Sequence, residues 1–141
     1  MIIDFAPSRD KHWDRVAIVM GAFLGFAGVM HFLSPDFFDD IVPPWLPPSE
    51  RFWTYLSGIA ELVVAGLLLR PTSRRTGAMA ATWLFIAVYP ANIYMTWDWR
   101  DRAISEQLVS YGRLPLQFVF IWAAIRIAGT SSAEEEQPVR P

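Results

Sequence analysis

The sequence predicts an all-α protein: a four-transmembrane-helix bundle with a proline-rich loop between helices 1 and 2. Three observations carry this. The chain is 53% hydrophobic and 18% charged, against about 25% charged residues in soluble domains. Its charges cluster between apolar blocks, and mean hydropathy is +0.26. Four apolar blocks, at residues 16–33, 52–69, 77–97 and 114–129, approach bilayer-crossing length. Eighteen helical residues, as in residues 52–69, cover about 27 Å, close to the hydrocarbon thickness. The 141 residues suit one domain. It divides into an N-terminal arm (1–15), a membrane domain (16–129) and a C-terminal tail (130–141).

The arm mixes Asp4, Asp10 and Asp14 with Arg9, Lys11 and Arg15. The apolar block behind it is too long for the core of a signal peptide and lacks a small-x-small cleavage site. It therefore reads as a cytoplasmic arm leading into a retained span.

Span 1 (16–33) carries Gly21, Gly25 and Gly28 on nearly one face and His31 in its last turn. Small residues let helix backbones approach closely in lipid. Ser34-Pro35 ends the span, because the residue before proline is pushed out of helical conformation. The loop that follows (36–51) holds IVPPWLPP at residues 41–48. Its prolines exclude a continuous helix. Phe37, Phe38, Ile41, Val42, Trp45 and Leu46 make it apolar, so it either anchors at the interface or folds back as a lid over the bundle mouth.

Span 2 (52–69) is apolar except near its centre, where it carries Glu61. A carboxylate there costs roughly 2.5–3.5 kcal/mol on insertion scales, so it must face other helices, a polar cavity or a ligand. Ser57, Gly58, Glu61 and Ala65 share one small, polar face. A basic turn, RPTSRR at residues 70–75, leads into span 3 (77–97). Pro90 there deprives the Ile86 carbonyl of its usual partner and is expected to kink the helix. Tyr89, Asn92 and Thr96 lie along one face. Trp97 and Trp99 close the span like an interfacial aromatic belt. Residues 100–113 read as a polar, partly helical connector. Span 4 (114–129) starts with Pro115 in its first turn, followed by Gln117, and Arg126 near its far end snorkels to the interface. Residues 130–141 hold Glu134, Glu135 and Glu136 and no apolar run, and are expected to be disordered.

Lys and Arg number eight on the side of the arm, the 70–75 turn and the tail, against four on the other side. The positive-inside rule then places both termini in the cytoplasm, in a bacterial inner (plasma) membrane. With that orientation each span contributes one polar side chain to the outer half or midplane: His31, Glu61, Asn92 and Gln117. Tyr55, Tyr89 and Tyr94 add hydroxyls at similar depth. This pattern predicts an outward-opening polar pocket beneath the proline-rich loop, with His31, Glu61, Asn92, Gln117, Ser57 and Tyr89 as ligand-binding residues. Glu61 and His31 are the catalytic candidates, since His31 could hold or relay the Glu61 proton. The competing reading is a hydrogen-bonded core in which Glu61 glues the spans together.

Several classes are excluded or weakened. There is no Cys, hence no disulfide, thiolate metal site, iron–sulfur cluster or CxxC chemistry in this chain. One histidine lies in a span and the other on the arm, so a bis-histidine haem is not available and no metal site is expected. No nucleotide-phosphate loop, Ser-His-Asp pattern or HExxH occurs. Net charge is −2, giving no basic surface for nucleic acid.

The motifs GVMHFLSPDFF (28–38), IVPPWLP (41–47), SGIAE (57–61), PANIYM (90–95) and RLPLQ (113–117) together resemble the small DoxX-like bacterial membrane proteins. The resemblance runs from Val16 to Arg126. It implies a four-helix integral membrane bundle, with relatives linked to redox partners or to the assembly of membrane proteins.

The function expected is a small accessory or ligand-binding membrane subunit. No cofactor is evident, and a quinone or lipid would suit the pocket. Expected partners are the lipid bilayer and another membrane or redox protein. One alternative is a membrane-embedded enzyme, a quinone-linked oxidoreductase or isomerase, using Glu61 and His31 for proton transfer. Another is a structural bundle that forms homo-oligomers through the Gly21/Gly25 face.

Overall fold

The computed structural model describes the backbone of residues 11–135 and the side chains of residues 11–131. It is all-helical over these residues. The helices are α1 (Lys11–Leu33), α2 (Pro35–Asp39), α3 (Glu50–Leu69), α4 (Arg74–Asp98) and α5 (Ile104–Glu135). Short 3₁₀ turns, Pro71–Ser73 and Trp99–Asp101, precede α4 and α5. Four helices, α1, α3, α4 and α5, are long and apolar enough to cross a membrane. Their outward faces carry large exposed apolar side chains such as Val19, Ile59, Trp83 and Phe118. In water these would be a liability. A bilayer removes the conflict.

The helices form two antiparallel hairpins. α1 packs along α3, and α4 along α5; the hairpins meet chiefly where α3 touches α4, while α1 and α5 touch only lightly. Glycine sets the α1–α3 approach. A Cβ on Gly28 would lie 3.0 Å from the Gly58 carbonyl oxygen, and one on Gly58 would lie 2.8 Å from the His31 Cβ. The two backbones are in contact there, as small residues allow in lipid. Gly21 meets Leu69 and Ala65 in the same seam. α3 of the same chain thus covers Gly21 and Gly28.

One end of the bundle is solid. Trp13, Ala17, Met20, Leu24, Val64, Leu68, Ala78, Ala81, Ala124 and Ile127 form a continuous core there. The α3–α4 turn is tied down by polar groups. The Arg74 Nε donates to the Leu68 carbonyl at 3.0 Å and the Ser73 hydroxyl to that of Leu67, also at 3.0 Å. These two bonds satisfy carbonyls that a helix end leaves unpaired. Arg74 is itself buried and pairs with Asp14 of α1 at 2.5 Å.

Several boundaries differ from those expected. Helix α1 takes in residues 11–15 of the predicted arm, where Trp13 is buried edge-on against Trp122 with ring centroids 5.5 Å apart. The Arg126 guanidinium sits over the same Trp13 ring at 5.4 Å. The predicted arm otherwise falls on residues 1–10, outside the described residues. The predicted connector 100–113 is largely helix. Glu106 accepts from the Ala103 N–H at 3.3 Å and starts α5 there. Pro115 therefore lies in a helix interior, not in a first turn. α4 runs on through Pro90. Neighbouring groups make such prolines tolerable in membrane helices. At the C-terminus α5 continues to Glu135, so residues 130–135 of the predicted tail are helical; residues 136–141 lie outside the described ones.

Candidate functional site

The opposite end of the bundle is hollow. A cavity of about 670 Å³ separates the two hairpins there. Its lining includes His31 of α1, Ser57 and Glu61 of α3, Asn92 of α4 and Gln117 of α5. The four depth-matched polar residues, one per span, thus meet in one space. Tyr89 does not join them. Its ring packs edge-on against Phe118, with centroids 5.3 Å apart.

Local geometry explains the pairing of His31 with Glu61. Side chains on a helix lean toward its N-terminus. The His31 ring folds back one turn, and its Nδ1 donates to the Ala27 carbonyl at 2.8 Å. That places Nδ1 3.2 Å from Glu61 Oε2, across the seam opened by Gly28 and Gly58. A carbonyl can only accept, so Nδ1 carries a proton. Because that proton is directed at Ala27, Glu61 Oε2 is close to a cation-forming ring yet has no hydrogen bond of good geometry. The two side chains are 9% and 15% exposed, so bulk water does little to compensate. Phe38 stacks on the other face of His31, with centroids 3.7 Å apart, and holds the ring in place.

Across the cavity Asn92 Nδ2 donates to Gln117 Oε1 at 3.3 Å, and Gln117 donates to the Phe85 carbonyl. Both amides are buried. They tie α4 to α5 at the level where Pro90 and Pro115 interrupt the helical ladders. Thr96 adds a second tie at the rim, donating to the Ser110 carbonyl of α5 at 3.3 Å.

The proline-rich loop closes the end of the bundle. Phe37, Phe38, Ile41 and Val42 line the cavity, and Ile41 is buried with Met95 and Trp99. Asp39 fastens this lid to α3. One of its oxygens accepts from the Thr54 hydroxyl at 2.6 Å and the other from Arg51 Nε at 2.8 Å. Arg51 also pairs with Asp36, and Arg102 reaches Asp40 at 3.7 Å. Trp45 and Leu46 remain exposed beyond it. The loop is therefore a lid in its first half and an apolar, outward-facing segment in its second.

The lid covers one end of the cavity. Phe23 and Phe26 of α1, and Val109 and Leu116 of α5, line the cavity and are also exposed on the surface. The cavity opens sideways between the two helices that touch least, toward the apolar outer surface.

Among the polar lining residues, Ser34, Thr54 and Arg113 were not among the expected ones. Thr54 lies one turn before Ser57 and Gly58 on the Glu61 face, a spacing that was available to find it. Arg113 lies four residues before Gln117, hence on the same face of α5. In sequence it reads as the end of a polar, partly helical connector, whereas α5 runs unbroken from Ile104 through Gln117. No group of three metal-ligating side chains occurs among the described residues.

The arrangement offers a carboxylate with acceptor capacity, a guanidinium, an amide pair and an imidazole inside an aromatic-rich, water-poor space. Such a site orients an amphipathic molecule by a few polar contacts and solvates its apolar part.

No curated protein and no solved structure matches the chain. The family model that does match corrects the resemblance to DoxX-like proteins: it is a different family. That match covers residues 20–128, which include every cavity residue named above, and the chain belongs to the family described as a domain of unknown function, DUF8561.

Proposed function

We propose that the protein is an integral, multi-pass membrane protein that binds an amphipathic small molecule in the cavity between its hairpins. The carrying observation is the cavity itself: about 670 Å³, polar at His31, Thr54, Ser57, Glu61, Asn92, Arg113 and Gln117, largely apolar elsewhere, and flanked by exposed apolar residues of α1 and α5. Pockets of this size hold drug-sized ligands. The eight-to-four distribution of Lys and Arg supports cytoplasmic termini in an inner or plasma membrane. The lid then faces the outer side, and the mouth opens at the depth of the outer leaflet. A membrane lipid or a quinone suits both the shape and the route. In this reading the protein is a small accessory or ligand-binding subunit, working with another membrane protein.

Native mass spectrometry after gentle extraction tests this. Wild-type protein is expected to retain one amphipathic molecule, and a Glu61→Gln variant of equal thermal stability to lose it. Loss of folding in Glu61→Gln, with no retained mass in wild type, would instead make Glu61 an interhelical tie.

One observation favours a second reading, an enzyme of proton transfer. Glu61 and His31 stand 3.2 Å apart on the cavity wall, a distance at which a proton can pass between them. Turnover abolished in Glu61→Gln with ligand retention unchanged would select it.

A further inference from the structure

Arg113 stands apart from the other arginines whose side chains the structure describes near the lid. Arg51 pairs with Asp36 and Asp39, Arg100 with Asp101, and Arg102 with Asp40, Asp98 and Glu106. Arg113 lines the cavity and has neither an ion pair nor a hydrogen bond among the described residues. It sits nine residues into α5, about 13 Å along the helix at the standard rise. That depth is close to that of Glu61, eleven residues into α3 or about 16 Å. The guanidinium lies within electrostatic reach of Glu61 but makes no contact with it. The Glu61 carboxylate stands closer to His31, with Oε2 3.2 Å from Nδ1.

An unmatched guanidinium at that depth is costly unless an acceptor reaches it. Arginine cannot shed its charge to relieve the cost, as a lysine can. Its forked N–H groups fit the paired oxygens of a carboxylate or phosphate. Asn92 Oδ1, which has no hydrogen bond from the described residues, and Glu61 Oε2 leave acceptors for a hydroxyl on the same molecule. The side opening is apolar, with Phe26 and Leu116 on its edges. A chain attached to the head group leaves the cavity there without crossing a polar barrier.

We propose that the ligand is an anionic amphiphile, with a carboxylate or phosphate head held by Arg113 inside the cavity and an apolar chain passing out between α1 and α5. This rests on the binding function proposed above and specifies its ligand class. Head-group charge is the selected feature, and Arg113 is the residue that selects it.

The test titrates detergent-solubilised, full-length protein with four probes of equal chain length: dodecanoate, dodecyl phosphate, dodecanol and dodecyltrimethylammonium. Binding is read by native mass spectrometry in a non-ionic detergent. At least one of the two anions is expected to bind tenfold or more tighter than the alcohol, the scale of a hydrogen bond to a charged group, about tenfold to hundredfold. The tighter of the two identifies a fatty-acid or a phosphate-bearing source. Arg113→Gln should remove the preference and Arg113→Lys retain part of it, at unchanged melting temperature. If Arg113→Gln does not fold, the wild-type ranking of the four probes still decides. Equal or tighter binding of the alcohol or the cation overturns the proposal and leaves amphiphile binding standing. Absence of binding by all four probes overturns both.

Discussion

The two halves of this bundle use the same four helices and reach opposite results. Near the chain ends, Ala17, Ala65, Ala78, Ala81 and Ala124 let the helices close on one another, and Leu24, Leu68 and Ile127 fill what remains. Near the lid the helices are held apart. Polar side chains occupy the positions that alanine fills at the other end, and Pro90 and Pro115 interrupt α4 and α5 at that level. The small-residue seam between α1 and α3 runs through both halves, so α1 and α3 stay together while α1 and α5 part. Helices in lipid associate by packing, not by expelling water. A half that forgoes packing needs other ties, and here they are the Asn92–Gln117 amide pair and the Asp39 clamp on the lid.

This contrast can be broken or sharpened by substitution. The largest effect belongs to the solid half. Leu68→Ala should destabilise the protein by about 2–5 kcal/mol in reversible unfolding, because the surrounding helices cannot collapse into the void. Leu116→Ala, on the exposed edge of the cavity, should cost under about 1 kcal/mol. Equal costs would mean that the halves do not differ in packing.

Gly28→Val comes next. Its side chain would meet the Gly58 carbonyl oxygen, which already lies 3.0 Å from the Cβ position. Overpacking there should cost about 1–3 kcal/mol. It should also displace His31 from Glu61, so retained ligand falls together with melting temperature. A fully stable Gly28→Val protein would show that the seam does not depend on backbone contact.

A smaller effect is expected at the lid. Asp39→Asn weakens the bonds from Arg51 and Thr54 and should cost about 1 kcal/mol. Hydrogen exchange should speed up in residues 35–46 and stay unchanged in the Ala78–Ala81 segment. Uniform acceleration would show that the lid is not an independent unit.

The smallest effect on stability comes from filling the hollow half. Ser57→Leu adds apolar volume to the cavity wall and should change stability by less than about 1 kcal/mol while reducing ligand retention. A strongly destabilised variant would mean that the space beside Ser57 is not free.

Much of the fold was legible because lipid imposes simple demands. Apolar length located all four spanning helices, and the cost of a carboxylate in hydrocarbon singled out Glu61 and then its companions. Comparing depths along the spans singled out His31, Asn92 and Gln117, which line the same cavity as Glu61. Tyr89 was misplaced because depth does not fix azimuth, and its hydroxyl-bearing ring turned to Phe118. Polarity let residues 100–113 read only as a partly helical connector, so Arg113 was not placed on the Gln117 face of α5. The start of α1 was hidden for the same reason: Lys11 and Asp14 read as an arm, yet Trp13 between them packs on Trp122. The lateral opening had no local signature. It follows from how little α1 touches α5, a pairing that a sequence does not state. The resemblance to DoxX-like proteins rested on five short motifs, and the family model that matches residues 20–128 is a different one.

The central claim is that the lid-end cavity is a ligand site and not a packing defect. A structure determined in lipid, at a resolution that shows side chains, tests it most directly. The account predicts continuous density between Glu61 and Arg113 that extends outward between α1 and α5. A cavity collapsed around Phe38 and Phe120, with Glu61 and Arg113 in direct contact and nothing between them, would contradict it.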